Sequence, residues 1–128
     1  MKIIKSIAAA AGISGVGLGA FGAHALRGIL SQRGTVEIWH TATTYHLLHA
    51  VALLGVALAA ESTEDPQVRR SWLRCAYAWL AGILLFSGSL YGLALGGPRW
   101  LGPVTPLGGT SFLVGWFLVA FAGRRSAH

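Results

Sequence analysis

The stretch from Ile38 to Ala60, IWHTATTYHLLHAVALLGVALAA, runs for 23 residues without a charged side chain. An α-helix rises about 1.5 Å per residue, so roughly 20 apolar residues cross the hydrocarbon core of a bilayer. Three further charge-free runs accompany this one, at residues 6–26, 75–98 and 100–123, of 21, 24 and 24 residues. The four runs together predict four transmembrane helices.

The composition of the chain also indicates a lipid environment. Of its 128 residues 54% are hydrophobic and 11% are charged, and the mean hydropathy is +0.60. These values lie outside the usual range for a soluble globular domain. Pro103 and Pro106 are expected to delay the fourth helix. We therefore expect a single all-α domain over residues 1–128, an integral membrane four-helix bundle, with spans at about residues 4–26, 38–60, 74–96 and 106–123.

The distribution of the basic residues predicts the orientation in the membrane. The N-terminus, the middle loop and the C-terminus carry Lys2, Lys5, Arg69, Arg70, Arg74, Arg124 and Arg125, whereas the first and third loops carry Arg27, Arg33 and Arg99. The positive-inside bias places both termini in the cytoplasm. The same bias, with anionic headgroups, accounts for the net charge of +6, so nucleic-acid binding is not expected. The lone Cys75 excludes chemistry that needs a cysteine pair.

A cleavable signal peptide is the alternative for the first span. Lys2 and Lys5 precede an apolar run that ends near the sequence Ala23-His24-Ala25, which imitates a cleavage site. The run of 21 residues exceeds the usual apolar region of about 7–15 residues. Its removal would also leave an odd number of spans, so a retained helix is the more consistent prediction.

Small residues predict where the helices approach one another closely. Gly15 and Gly19 form a GxxxG pattern in the first span, and Gly88 and Gly92 form another in the third span. Glycine at this spacing lets helix backbones approach closely within lipid. We expect these four positions to lie at helix-packing contacts.

Polar side chains within the spans concentrate in the outer half of the predicted bundle. If the second span runs inward, His46 and His49 lie roughly 10 to 16 Å below the outer surface. A polar side chain in hydrocarbon is costly unless it pairs, faces the bundle interior or lines a wet cavity. We therefore predict an outer polar cluster formed by His24, Arg27, Tyr45, His46, His49, Ser87, Ser89, Tyr91 and Thr105.

Several functions are open to this cluster. One is the binding of a small polar ligand or a lipid headgroup, and another is a structural role in which the side chains fix helix packing through hydrogen bonds. A metal on His24, His46 and His49 is disfavoured because no Cys, Asp or Glu lies close by in sequence. Haem between His24 and His49 is disfavoured by their different depths.

Catalysis and transport are weaker hypotheses. No carboxylate occurs in any span to orient a histidine for hydrolysis, and the inner half offers no polar path for protons or solutes. We therefore expect neither an enzyme nor a cofactor. The expected partners are the bilayer and either a second copy of the chain or another membrane protein.

Ordered motifs along the chain resemble a known family. They are Gly19-Ala20-Phe21-Gly22-Ala23-His24-Ala25-Leu26, Trp39 with Thr41, Tyr45 and His49-Ala50, Phe86-Ser87-Gly88-Ser89-Leu90-Tyr91, Thr105-Pro106-Leu107-Gly108-Gly109, and Phe112 with Gly115-Trp116. Together they resemble the small four-span membrane proteins grouped as domain of unknown function four hundred and twenty-three, which are similar to the eukaryotic transmembrane protein two hundred and fifty-six. The resemblance covers nearly the whole chain.

The resemblance implies a bacterial inner-membrane protein with no established biochemical activity. His24 and His49 fall at positions of the family motif, whereas many members are expected to carry Gln where this chain has His46. Because Gln is a poor ligand for transition metals, this departure weakens the metal hypothesis further.

Overall fold

The computed structural model describes residues 2–124, which form an all-α fold without any strand. The helices are α1 (Lys2–Ala23), α2 (Arg27–Arg33), α3 (Val36–Glu61), α4 (Pro66–Gly82), α5 (Gly88–Ala94) and α6 (Leu101–Val119). A π-helical turn, Ile83–Ser87, joins α4 directly to α5. Four continuous helical segments are long and apolar enough to cross a membrane: Lys2–Ala23, Val36–Glu61, Pro66–Ala94 and Leu101–Val119. The predicted four-helix membrane fold is confirmed.

The third helical segment begins well before the predicted span. Asp65 accepts hydrogen bonds from the backbone N–H groups of Gln67 (2.9 Å) and Val68 (3.4 Å), and Pro66 occupies the first helical position. A carboxylate at the N-cap and a proline at the next position together favour a helix start at this point. The first turns of α4 therefore carry polar residues before the apolar run begins.

The fourth helix also begins earlier than expected, because both prolines lie within it. α6 starts at Leu101, so Pro103 is in the first turn, where its missing N–H group has no helical partner to lose. Pro106 lies inside the helix and removes one hydrogen bond. The hydroxyl of Thr105 lies 3.4 Å from the carbonyl oxygen of Leu101 in the turn before it. The prediction that the prolines delay the helix is wrong.

The loop after α1 folds into a short helix that the sequence did not predict. Leu30 of α2 is only 1% exposed and packs in a small core with Trp39 and Ala94. The Thr35 hydroxyl donates to the carbonyl oxygen of Ala94 over 2.8 Å. Gly34 ends α2 in the left-handed conformation, with φ of 69°. These contacts hold the loop between α1 and α3 against the end of α5.

Helix α3 is the centre of the bundle. It packs against α1 on one side and against α4 and α5 on the other, while α6 packs on α4, the π-helical turn and α5. The main core contains Ala8, Leu53, Ala57, Cys75 and Trp79. Most large side chains outside this core are exposed apolar groups, as expected of a surface that faces lipid.

Two glycines of α1 lie against side chains of α3. A Cβ atom at Gly15 would lie 2.7 Å from Cδ2 of Leu47, and one at Gly19 would lie 3.1 Å from Cγ2 of Thr43. The two helices therefore approach closely because these positions lack side chains.

The third helical segment differs from the GxxxG prediction. A Cβ atom at Gly88 would meet nothing closer than the carbonyl oxygen of Ile83, at 4.0 Å, so Gly88 makes no close contact with another helix. At Gly92 a Cβ atom would lie 2.7 Å from Cδ1 of Leu101. Other glycines lie directly beneath aromatic residues: Gly22 under Trp39, Gly82 under Phe112, Gly108 against Phe86 and Gly115 under Trp79. Gly22, Gly82 and Gly115 thus lie against aromatic rings, and Gly108 lies against the backbone of Phe86.

Candidate functional site

The two histidines in the middle of α3 face different neighbouring helices. His46 and His49 are 4% and 3% exposed. The ring of His46 bonds side chains of α1 and α5, whereas the ring of His49 lies among side chains of α4 and α6. The predicted single polar cluster is therefore divided into two networks on either side of α3.

Hydrogen bonds fix the protonation state of His49. Its Nδ1 lies 2.8 Å from the carbonyl oxygen of Tyr45, which only accepts, so Nδ1 carries the proton. The indole Nε1 of Trp116 lies 3.0 Å from His49 Nε2 and only donates, so Nε2 is unprotonated. The ring of Phe112 stacks on the imidazole at a centroid distance of 3.7 Å. His49 is thus a neutral imidazole with both nitrogens occupied.

His46 belongs to a chain of hydrogen bonds that links three helices. Its Nδ1 lies 2.9 Å from the hydroxyl of Tyr91 on α5, and its Nε2 lies 3.1 Å from the hydroxyl of Ser14 on α1. Ser14 donates its only hydroxyl proton to the carbonyl oxygen of Ala11, at 3.1 Å. All these bonds form together when Tyr91 donates to Nδ1 and Nε2–H donates to Ser14. With this set of bonds, His46 carries its proton on Nε2, which is the opposite tautomer to that of His49.

The serine residues of the predicted cluster bond neighbouring helices instead of a common centre. The Ser87 hydroxyl donates to the carbonyl oxygen of Ala42 on α3, over 2.8 Å. The Ser89 and Thr105 hydroxyls lie 2.6 Å apart and connect α5 to α6. Each of these contacts satisfies a polar group that would otherwise be unpaired within the bundle.

Two other predicted members lie apart from both networks, and Tyr45 joins the His49 network through its backbone. His24 occupies the turn after α1 and Arg27 opens α2, and both side chains are exposed. Tyr45 contributes its carbonyl oxygen to His49, while its ring is 43% exposed and lies 4.9 Å from that of Phe86. The proposed His24, His46 and His49 triad is not assembled, and no group of three metal-ligating side chains occurs within residues 2–124.

Two cavities border the networks. One cavity, called the outer cavity because the basic residues predict that its end of the bundle faces outward, has a volume of about 410 Å³. It lies between α1, α2 and α3 and is lined by residues that include Arg27, Ser31 and His40. A lateral groove of about 530 Å³ lies between α3 and α6, where Tyr45 and Trp116 form part of its wall. The groove is aromatic, whereas the outer cavity carries the only charged side chain of the two linings.

Three residues that complete the networks are absent from the cluster predicted from the sequence. Trp116 donates to His49, the Ser14 hydroxyl bonds Nε2 of His46, and the Ser111 hydroxyl donates to the carbonyl oxygen of Ala78 over 2.6 Å. Ser14 and Ser111 are polar residues within charge-free runs, like the predicted members of the cluster, so the sequence could have identified them. Trp116 gave no such signal, because its indole is mostly apolar and its partner lies on another span.

Comparison with known proteins identifies the family. The family described as Protein of unknown function (DUF423) matches residues 18–109. The chain is 41% identical to a UPF0382 membrane protein of Staphylococcus epidermidis, with 99% of each chain covered. It is 39% identical to the UPF0382 membrane protein YwdK of Bacillus subtilis, over 95% of this chain and 96% of the relative.

A third relative extends this similarity to another bacterial genus. The chain is 40% identical to a UPF0382 membrane protein of Haemophilus influenzae, over 94% of this chain and 93% of the relative. No solved structure matches the chain significantly. On the matched residues and the near-complete coverage of these relatives, the chain belongs to the membrane-protein family described as Protein of unknown function (DUF423).

Proposed function

We propose that this protein is a non-catalytic, multi-pass protein of the bacterial inner membrane whose buried polar side chains hold its four spans in fixed register. In this proposal it acts by presenting its lipid-facing surface to a membrane partner, either a second copy or another membrane protein. The single observation that carries the proposal is the occupation of all four ring nitrogens of His46 and His49. No nitrogen is left to bind a metal or to exchange a proton with a substrate.

The apolar surroundings of His49 support the structural role. Phe112 covers one face of the imidazole, and the rings of Trp79 and Trp116 lie 6.0 and 5.9 Å from it. Hydrogen bonds between membrane helices contribute about 0.6–2 kcal/mol each. Several such bonds, distributed over all four spans, suit the fixing of helix register better than the binding of a ligand.

Native mass spectrometry of the wild type and His49→Gln, released from mild detergent, tests this proposal. We expect no metal, haem or other stoichiometric small molecule on either protein, and a lower thermal stability for the variant. A non-lipid mass that the wild type holds and the variant loses would overturn the structural role. Gln is the matched substitution because its carbonyl oxygen preserves an acceptor for Trp116.

The orientation with both termini in the cytoplasm is part of the proposal. It rests on the excess of basic residues at those ends, of which Arg125 lies outside the residues that the structure describes. On a Cys75→Ala background, a membrane-impermeant maleimide should label Ser31→Cys in intact cells. Ser62→Cys should be labelled only after the membrane is opened. The reverse pattern would contradict this orientation.

The outer cavity favours a second candidate function, the binding of a small polar ligand or a lipid headgroup. Arg27, Ser31 and His40 contribute polar groups to this cavity of about 410 Å³. An exposed guanidinium beside a concave surface suits an anionic oxygen. If this candidate is right, Arg27→Gln will lose a bound mass that His49→Gln keeps. If Arg27→Gln loses no bound mass relative to the wild type, ligand binding in the outer cavity is excluded.

A further inference from the structure

A second polar cavity lies at the opposite end of the bundle, where α4 begins and the chain leaves α6. Its volume is about 390 Å³, and its lining consists of Gln67, Arg70, Ser71, Arg74 and Arg124. This basic pocket contains three guanidinium groups and, within the described part of the chain, no carboxylate. It is separated from both histidine networks by the apolar inner half of the bundle.

The turn after α6 builds one wall of the basic pocket. Gly123 adopts φ of 81°, and its backbone N–H donates to the hydroxyl of Ser71 over 3.0 Å. A Cβ atom at Gly123 would lie 3.1 Å from the indole of Trp72, so the backbone rests directly on that ring. Glycine is suited to this left-handed, closely packed position. The turn is thereby held against α4, which places Arg124 beside the start of that helix.

The other wall of the basic pocket follows from helical periodicity. Arg70 and Arg74 are four residues apart on α4, so their side chains lie on one face of the helix. Like charges at this spacing repel one another. The guanidinium of Arg124, which lies 5.5 Å from the ring of Phe121, adds a third charge. Three cations brought together in this way favour the binding of an anion.

Basic residues at this end of the molecule make several other contacts, and within the pocket Nε of Arg70 donates to the carbonyl oxygen of Pro66 over 3.4 Å. Lys5 pairs with Glu61 at 3.2 Å. The guanidinium of Arg69 donates to the carbonyl oxygen of Thr63 over 2.7 Å, at the end of the α3–α4 turn. Within residues 2–124 the pair of Lys5 and Glu61 is the only salt bridge, so the guanidinium groups of the basic pocket have no carboxylate partner there.

We propose that the basic pocket binds a phosphate group, carried by an anionic phospholipid or free in solution. Guanidinium groups bind phosphate oxygens through paired N–H donors, which suits Arg better than Lys for this purpose. The pocket lies where the helical segments Pro66–Ala94 and Leu101–Val119 meet one membrane surface, the level at which phospholipid headgroups lie. Clustered basic residues beside spans attract anionic lipids. This site is independent of the proposed role of the histidines.

Lipid titration followed by native mass spectrometry tests this proposal on the full chain. The probes are phosphatidylglycerol, phosphatidylethanolamine and inorganic phosphate, each added to delipidated protein. We expect one phosphatidylglycerol to bind about tenfold more tightly than phosphatidylethanolamine, and Arg74→Gln with Arg124→Gln to remove that preference. Arg33→Gln with Arg99→Gln, at the other end of the bundle, is the control of equal charge change and should keep it. Equal binding of both lipids to the wild type would overturn the proposal.

Competition with inorganic phosphate distinguishes a phospholipid headgroup from free phosphate as the source of the bound phosphate group. If millimolar inorganic phosphate displaces phosphatidylglycerol from the wild type, the site accepts a free phosphate. If it does not, the site requires the lipid. An Arg74→Gln and Arg124→Gln double variant that retains the lipid preference, or an Arg33→Gln and Arg99→Gln double variant that loses it equally, would overturn the assignment of the site. Because the arginines are on the surface, circular dichroism is expected to show an unchanged fold in every variant.

Discussion

Replacing Trp116 by Phe removes the indole N–H that donates to His49 Nε2 and keeps an aromatic ring at the same position. The structure supplies a matched control in Trp79. The rings of Trp79 and Trp116 lie 6.0 and 5.9 Å from that of His49, at interplanar angles of 65° and 66°. The Nε1 atom of Trp79 has no hydrogen-bond partner. The two tryptophans therefore make similar ring contacts with His49, but only Trp116 donates a hydrogen bond to it.

The expected magnitude follows from what each substitution leaves behind. A hydrogen bond between membrane helices is worth about 0.6–2 kcal/mol, and a buried acceptor left unpaired costs about 1–3 kcal/mol. Trp116→Phe loses the bond and leaves Nε2 of His49 unpaired. When His49 is replaced by Leu, no acceptor remains to be left unpaired, and the cost of Trp116→Phe should fall. We expect a coupling energy of about 1 kcal/mol between the two sites.

Double-mutant cycles measured by denaturant unfolding in mixed micelles provide the assay. One cycle combines Trp116→Phe with His49→Leu, and the other combines Trp79→Phe with His49→Leu. The second cycle should give less than about 0.5 kcal/mol, because Trp79 has no hydrogen bond to lose. Additive costs in the first cycle, or equal couplings in both, would refute the assignment of the hydrogen bond.

Three further predictions concern packing. Gly108→Ala should destabilise the fold by at least about 1 kcal/mol, because its Cβ atom would meet the backbone of Phe86. Gly109→Ala should be tolerated in the same thermal assay, because its Cβ atom would lie 3.7 Å from the ring of Phe86. Gly88→Ala should leave stability unchanged or raise it by up to about 1 kcal/mol, since no helix lies against it, and a large loss of thermal stability would restore the GxxxG interpretation. Cys75, with 0% of its surface exposed, should react with a maleimide only at the rate of unfolding, and rapid labelling of the folded protein would contradict its burial.

Much of the fold could be predicted from charge and hydropathy alone. The four spans follow from the cost of placing a charged group in hydrocarbon, which confines charges to the helix ends. The exact starts of the helices depended on local chemistry instead. Asp65 and Pro66 start α4 early, and Pro103 is accepted in the first turn of α6. A proline that is tolerated and a proline that delays a helix look alike in sequence.

The division of the polar cluster could not be read from the sequence. Residues three apart on a helix are separated by about 60° around its axis, so His46 and His49 share a broad face. Whether they meet one partner or two depends on which helices surround α3 and at what height. Their division between the networks is set by Tyr91 on α5 and Trp116 on α6. These are tertiary contacts between distant segments.

The basic pocket could not be predicted from the sequence either. Positive-inside bias accounts for each arginine separately, but it does not place Arg124 beside Arg70 and Arg74. That placement needs the left-handed turn at Gly123 and its bond to Ser71. The residues of the pocket come from the two ends of separate spans, so no spacing pattern in the sequence reveals it.

The most direct test of a structural role for the buried histidines is nitrogen-15 NMR of histidine-labelled protein in nanodiscs, with single substitutions to assign each ring. From their hydrogen bonds we expect His49 to be neutral with its proton on Nδ1, and His46 to be neutral with its proton on Nε2. Trp116→Phe should shift the Nε2 resonance of His49 and leave that of His46 unchanged. A doubly protonated or metal-bound ring at either position, or a proton on Nε2 of His49, would contradict the structural role of these histidines.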